Sequence, residues 1–232
     1  MKGLRTAAGI VNAIGLLLVL LYFAVQLPTF SLWFYEHEYE KNSTYEQVSM
    51  KKEDLHAVTK HMIDYMRGKE EMLNIETTVA GAPRLFFSDE EIIHMEDVLL
   101  LFDAGRLLRN IGAACFLLTA VFLSLCGKDG LSSGMKAWRG AAFGVLGGAA
   151  LLGALIGIGF DKAFTIFHEI FFAGKVWQFD ARTNLLVNIV PTPFFIDIAI
   201  CIGVVFALSL VVMGTTAAVA LRGLRTQGEG KA

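Results

Sequence analysis

The sequence predicts an α-helical integral membrane protein: a four-helix transmembrane bundle carrying a small extracellular cap, mostly helical, with room for one short hairpin. Three observations predict it. Four stretches are long and apolar enough to cross a bilayer, which takes about 20 helical residues: Ala8–Leu27, Leu107–Cys126, Gly140–Phe160 and Phe194–Leu221. One large polar insert separates the first stretch from the second. Charge is then split unevenly along the 232 residues, although the whole chain carries a formal charge of only −2.

That split sets an orientation. The start (Lys2, Arg5), the turn between spans two and three (Lys128, Lys136, Arg139) and the tail (Arg222, Arg225, Lys231) hold eight basic residues against Asp129 and Glu229. By the bias of Lys and Arg toward the inside, these pieces and both termini are expected to be cytoplasmic. The insert 28–103 and the connection 161–193 then lie outside. The expected organisation is span one over 1–27, cap over 28–103, and spans two to four over 104–232. The insert holds 16 Asp/Glu against seven Lys/Arg, and this acidic face gives no reason to expect a nucleic-acid partner.

Span one follows a short basic start, as a signal peptide does. Its apolar run outlasts the usual core of such a peptide and no small-x-small cleavage site follows, so a retained anchor is expected. In the insert, Phe30–Tyr39 (FSLWFYEHEY) is aromatic and amphipathic, suited to the headgroup belt. Leu55, Val58, Met62, Tyr65 and Met66 recur at helical spacing, with Ser49 before them and Gly68 after as cap and stop. Ile75–Val79 and Arg84–Phe87 are β-prone and flank Ala80–Pro83, a hairpin pattern. Ser88 with Glu91 three residues on is a capping box opening a helix that runs into span two.

Span three carries Gly140, Gly144 and Gly148, then Gly153 and Gly157. Small residues at this spacing predict close helix packing inside the bundle. The cysteines Cys115, Cys126 and Cys201 fall in spans two and four, where buried structural thiols are expected. The span centres look nearly free of polar groups apart from Thr119 and Ser209, which argues against a solute transporter.

Candidate chemistry gathers at the outer ends of the spans. His94 and Asp97, three apart on the capped helix, share a face. A carboxylate there can orient an imidazole and stabilise its protonated form; the plain alternative is a solvated helix face. His168 lies in FTIFHEIFF, among apolar neighbours, where an imidazole requires a partner. Arg106 and Arg109 enter span two and Asp197 begins span four. Ionisable groups at this depth pair or function, or in the arginines' case snorkel. His168-Glu169 begins like a zinc-protease motif, but Phe172 stands where its second histidine would be, so no metal site is expected. A nucleophile elbow is also missing, and no cofactor motif is present.

The stretches FYEHEYEK (Phe34–Lys41), SDEEIIHMEDV (Ser88–Val98) and FHEIFFAGKVWQFD (Phe167–Asp180), with PTPFF (Pro191–Phe195), resemble the bacterial lipoprotein intramolecular transacylase family over essentially the whole chain. Asn184 departs from the pattern, where an acidic residue is expected. The resemblance implies a multi-pass cell-membrane enzyme acting on a diacylated bacterial lipoprotein among membrane phospholipids, with its active site on the extracellular side. It implies transfer of the sn-2 acyl chain from the diacylglyceryl-cysteine to that cysteine's own α-amine, giving an N-acyl lyso-form lipoprotein. His94 and His168 match the family's catalytic histidines.

The residues agree with such a reaction on their own terms. Donor ester and acceptor amine belong to one molecule, so placement alone can be worth about 7–11 kcal/mol. An imidazole suits removal of the amine proton, and a second suits protonation of the glycerol oxygen. The histidines are expected to flank one ester, with Asp97, or Glu38 as second choice, hydrogen-bonded to one of them. For the developing oxyanion the cationic candidates are Arg84, Arg106, Arg109, Lys162 and Arg182. Arg106 is favoured because it lies 12 residues from His94 on one helix, and Tyr35 and Tyr39 are rival donors. The competing class is a non-enzymatic receptor or assembly protein using the acidic cap, which needs no converging histidines.

Overall fold

A computed structural model describes residues 1–229; Lys231, counted among the basic residues above, lies outside the described residues. In chain order the elements are α1 (Lys2–Thr29), α2 (Leu32–Lys41), α3 (Thr44–Gln47), α4 (Lys52–Met66), β1 (Glu76–Val79), β2 (Ala82–Leu85), α5 (Asp89–Leu125), α6 (Gly127–Ile158), α7 (Phe160–Phe171), α8 (Leu186–Ile189) and α9 (Thr192–Glu229). They fall into two compact units.

The first unit comprises Met1–Val25, Gly105–Ile158 and the chain from Ile202 onward, and holds most of the four helices that are long and apolar enough to span a membrane. In α1 33% of the apolar window is buried, against 11%, 6% and 11% in α5, α6 and α9, which makes α1 the most enclosed helix. Its contacts are close because its partners are small. A Cβ at Gly15 would come 2.5 Å from the Gly112 carbonyl oxygen, and one at Gly9 would come 3.0 Å from that of Ser133. Polar groups lock the same surface. Asn12, 3% exposed, donates to the Phe116 carbonyl at 2.8 Å and to the Thr119 hydroxyl at 3.0 Å, and accepts from Trp138 Nε1 at 2.8 Å. One amide therefore ties α1 to α5 and α6, and it corrects the expectation that only Thr119 and Ser209 are polar inside the spans.

Three further expectations change here. Gly140, Gly144, Gly148, Gly153 and Gly157 have nothing within 4 Å of an added Cβ; the close approaches are made instead by Gly9 and Gly15 of α1, by Gly112 of α5 and by Gly130 near the start of α6. Cys115, Cys126 and Cys201 are free and half-buried rather than core thiols. Span three ends at Ile158, not Phe160, because Gly159 adopts φ −148°, ψ 64° and breaks the helix.

The second unit comprises Gln26–Ala104 and Gly159–Cys201. In α2, Phe34, Tyr35, Glu38 and Tyr39 turn inward, the amphipathic face expected of that aromatic run. In α4, Leu55, Val58, Thr59, Met62, Ile63 and Met66 do the same. The Thr59 hydroxyl donates to the Leu55 carbonyl at 2.8 Å, so it accepts from the Tyr39 hydroxyl at 2.9 Å. Ser49 does not cap α4. It sits at φ 51° and its carbonyl takes the Ala80 N–H, while α4 opens behind Lys51 with Glu53 and Asp54 in the first turn, where carboxylates suit the helix dipole. Gly68, at φ 74°, ends the helix region as expected.

The hairpin is tighter than its sequence suggested. Thr78 pairs with Pro83 and Val79 with Ala82, leaving Ala80 and Gly81 as a two-residue turn at φ 51° and 80°. Two positive φ angles fit a type I′ turn, and Gly81 supplies one at no steric cost. Phe86 and Phe87, just beyond β2, are buried.

Candidate active site

The start of α5 is built first, because it aims His94. The capping box forms as expected: the Ser88 N–H donates to Glu91 Oε2 at 2.7 Å and the Glu91 N–H to Ser88 Oγ at 3.3 Å. The other carboxylate oxygen of Glu91 accepts the Leu186 N–H at 2.7 Å. Asn184 Nδ2 donates to Ser88 Oγ at 3.1 Å, and the Thr183 hydroxyl donates to Asn184 Oδ1. A fully buried carboxylate thus fastens the connection after α7 to the first turn of α5. His94 follows Glu91 by one turn on the same face.

His168 comes from the last turn of α7. Its Nδ1 lies 2.8 Å from the Phe164 carbonyl, and since a carbonyl only accepts, Nδ1 carries the proton and Nε2 the lone pair. The chain then turns at Gly174 (φ 72°) into a strap, residues 172–179, whose rings close on both imidazoles. Phe172 lies 5.0 Å from His94 and 5.4 Å from His168; Phe179 lies 5.4 Å from His94 and Trp177 4.8 Å from His168. Phe164 approaches His168 to 4.1 Å and leads through Phe195 and Phe194 to Tyr35.

Within this aromatic box the two imidazoles stack, with centroids 6.2 Å apart and planes at 18°. Both are buried, His94 to 8% and His168 to 7% exposure. Burial, with a smaller push from His168, lowers His94 to about 4, partly offset by Asp97 and a backbone hydrogen bond to Val176. Burial lowers His168 too. Both rings are therefore neutral at pH 7. Nδ1 of His94 is buried with no hydrogen-bond partner. The Val176 bond falls to its other nitrogen, which leaves the lone pair on Nδ1. Each ring thus keeps one bare basic nitrogen.

The remaining candidates lie as follows. Asp97 does not touch an imidazole: Lys175 Nζ donates to its Oδ1 at 2.5 Å, from the strap to α5. Glu38 does not either. It is buried beside Asp197, with Asn42 Nδ2 at 3.2 Å and Lys41 Nζ at 3.8 Å, and burial followed by the Asp197 charge raises its pKa. Lys41 forms a short ion pair with Asp197, at the start of α9. Tyr35 is buried against Phe194, and the Tyr39 hydroxyl is committed to Thr59; burial raises both phenols, so neither ionises at neutral pH. Arg84 bonds the Leu85 carbonyl and Arg182 pairs with Asp180, while Lys162 is exposed on α7. Arg106 and Arg109 belong to the first unit; Arg106 is half-buried, and Arg109 lies over the Tyr22 ring at 4.7 Å. Among the described residues no three His, Cys, Asp or Glu side chains converge as a metal site would require.

Sequence reasoning missed the strap. Lys175, Trp177 and Phe179 lie inside the quoted FHEIFFAGKVWQFD, and the available signal was an unpaired Asp97 facing an outer connection with few cations.

The arrangement offers two neutral bases inside an apolar, aromatic enclosure, suited to proton transfer at a reacting group that water must not reach. A family profile described as the lipoprotein intramolecular transacylase Lit matches residues 10–195. Among curated proteins none matches the chain at a significant level. Solved structures do. The membrane-integral lipoprotein intramolecular transacylase Lit from Bacillus cereus matches with a TM-score of 0.79 at 16% identity, over 97% of this chain and 100% of that one. Two variants of the Bacillus cereus protein, with a histidine replaced by arginine or by alanine, match at TM-scores of 0.72 and 0.74. Their identities are 18% and 16%, over 98% and 97% of this chain and 95% and 96% of theirs. At such identities the structures speak for the membrane-integral helical fold, and the profile speaks for descent. The chain belongs to the lipoprotein intramolecular transacylase (Lit) family.

Proposed function

We propose that this protein moves the sn-2 acyl chain of a lipoprotein's diacylglyceryl-cysteine to the cysteine's own α-amine, with His94 and His168 as its acid–base pair. The observation that carries the reading is the stacked imidazole pair, 6.2 Å apart, each ring neutral and each with one uncommitted nitrogen. A receptor or assembly protein has no use for such a pair.

The protons account for two rings. The substrate amine, with a pKa of about 7.7–8, arrives largely as ammonium and loses two protons on the way to an amide. His168 Nε2, with Nδ1 fixed on Phe164, takes the first and frees the amine to attack the acyl carbon. The nitrogen–carbon bond forms and the bond to the sn-2 oxygen breaks. The His168 imidazolium returns its proton to that oxygen, leaving a glycerol hydroxyl. The attacking nitrogen, positively charged in the tetrahedral intermediate and so far more acidic than a free ammonium, gives its second proton to His94 Nδ1. A ring that burial holds at about 4 gives that proton up to bulk water once the product leaves and the enclosure opens. Positioned acid–base groups of this kind contribute about 10²–10⁴-fold.

The other groups take supporting roles. Asp97 acts through Lys175 by holding the strap. The phenyl rings exclude water, and Tyr35, Tyr39 and Glu38 shape the packing behind Phe194. Arg106 is the candidate counter-charge for the oxyanion, where a preorganised donor is worth about 2.7–4 kcal/mol; Arg106→Gln tests it. The charge bias supports cytoplasmic termini with this site on the extracellular side, facing lipoproteins among phospholipids. Mass spectrometry of a lipoprotein N-terminus decides the main reading. Cells or vesicles with the protein should yield an N-acyl lyso form, and His94→Ala and His168→Ala should leave the diacyl form. Lyso-form yield unchanged in both variants would refute it.

A further inference from the structure

The helix that carries His168 has an apolar face that nothing in its own unit covers. In α7 the residues Asp161, Thr165 and Glu169 follow one another at four-residue spacing, with Lys162 beside them, and form a polar stripe. Ile166 and Ile170, with Ala163, Phe167 and Phe171, form the opposite, apolar stripe by the same spacing. Exposure confirms that this stripe is unpartnered: Ile170 is 67% exposed, Phe171 48%, Ile166 44% and Phe167 43%. His168 lies between the stripes, one turn beyond Phe164 and Thr165. It sits at the boundary of polar and apolar surface, turned inward and buried.

The chain itself says what covers the stripe. Only Gly159 separates α7 from α6, a helix apolar enough to span a membrane. The first residue of α7 therefore stands where a crossing ends. The other exit from a crossing behaves alike: Trp33, early in α2 after α1 ends, is 71% exposed, as aromatic residues are in the headgroup belt. A polar stripe, a bulky apolar stripe and an origin at a membrane surface are the marks of a helix lying in the interface plane. Its charges, Asp161, Lys162 and Glu169, nearly cancel, so apolar area rather than attraction to anionic lipid supplies the affinity.

We propose that α7 lies in the plane of the membrane surface, with its Ile166–Phe171 stripe covered by phospholipid acyl chains. The bilayer then holds His168 at the depth of a glycerol ester. In water the stripe would be an exposed apolar patch; in the interface it is a float that sets the depth of the catalytic ring. The inference rests on the transacylase reading for its purpose but not for its test.

The test is a depth measurement on the full chain in phosphatidylcholine–phosphatidylglycerol vesicles. In a background with Cys115, Cys126 and Cys201 replaced by alanine, single variants Ile166→Cys, Ile170→Cys, Lys162→Cys and Glu169→Cys carry a nitroxide label, and far-UV circular dichroism confirms the helix content of each. Collisions with oxygen should exceed those with a water-soluble nickel chelate at 166 and 170, and the order should reverse at 162 and 169. Nickel access at 170 equal to that at 169 would place α7 in water and overturn the proposal. Spin–spin broadening at 170 that vanishes on dilution with unlabelled protein would assign the face to a second copy and overturn it equally. In the functional arm, Ile170→Glu should lower lyso-lipoprotein formation about tenfold or more, since burial of one such side chain is what the charge removes. A labelled helix at interface depth combined with full activity of Ile170→Glu would leave α7 interfacial but reject its role in setting depth.

Discussion

Replacing Lys175 with methionine should cripple the site without unfolding the protein. Lys175 joins the strap to the Asp97 carboxylate, its ammonium meeting Oδ1 at 2.5 Å. The pair is asymmetric: the lysine side chain is 44% exposed and that of Asp97 only 13%. An exposed pair is worth about 0–1 kcal/mol after screening, but stranding a mostly buried carboxylate costs about 1–3 kcal/mol. A net loss of about 1–2 kcal/mol is expected, a factor of roughly 5–30. It falls on the strap, because Phe172, Trp177 and Phe179 reach the imidazoles from there and Val176 bonds His94. With the strap in place for a smaller fraction of the time, kcat/KM for a diacylated lipopeptide should fall by about that factor. A second readout separates this role from general destabilisation. Losing the lysine bares the Asp97 charge toward His94, which Asp97 already pulls upward, so the acid limb of the pH–rate profile should move to higher pH. Lys175→Arg should restore both rate and profile. A Lys175→Met enzyme with unaltered kcat/KM and an unmoved acid limb would refute the latch.

The pH dependence has a definite sign. A histidine whose folded-state pKa lies below its unfolded value of about 6.5 binds fewer protons when folded, so acidification below that value favours the unfolded chain. Stability should therefore decline as pH falls from about 6.5 toward the His94 value of about 4, and His94→Gln should flatten that decline in thermal melts; a slope equally steep in the variant would refute it. The acid limb of the reaction should likewise lie below about 6.5, and a limb centred above 7 would contradict burial of the rings. Glu91→Ala removes the acceptor of two backbone N–H groups, those of Ser88 and Leu186. Bonds to charged groups are worth about 1.5–3 kcal/mol each, so the melting temperature should drop sharply; an unchanged Tm would show that water replaces the carboxylate. Asn12→Leu should weaken the bundle by about 0.6–1.7 kcal/mol, the range for polar contacts inside membranes, read by denaturation in mixed micelles. A loss near zero would mean the Asn12 knot is incidental.

What could be read from the residues depended on how local the signal was. The spans were legible because about 20 apolar residues in a row admit few other structures, and the capping box because it needs only Ser88 and Glu91 and no distant partner. Boundaries were less legible where one backbone angle decides them. Gly159 sits in a run (GALIGIGFDKAF) whose hydropathy does not change until Asp161, so nothing marked it as a helix end. Ser49 has the chemistry of a cap, but the Ala80 N–H from the hairpin takes its carbonyl, a tertiary contact that propensity does not encode. The glycines of α6 carry a real small-residue spacing, yet spacing states only that a close approach is possible. Gly9, Gly15 and Gly112, which do make close approaches, stand in a less regular pattern.

The site divides the same way. That His94 and His168 would share a mouth followed from the order of the spans, and the rings do stack. Their partners did not follow, because partner choice is a contest between groups that sequence spacing cannot rank. Asp97 shares a helix face with His94, but Lys175 offers a full charge where a neutral, desolvated imidazole offers none, and the carboxylate takes the charge. The histidines are left with backbone carbonyls, which offset only part of the lowering by burial and engage one nitrogen of each ring. A carboxylate on the ring would raise its proton affinity, whereas the carbonyl bonds at Phe164 and Val176 fix each ring's tautomer and leave it neutral. The difference at Asp97 thus leaves both stacked rings neutral, the state that the proposed proton transfers require.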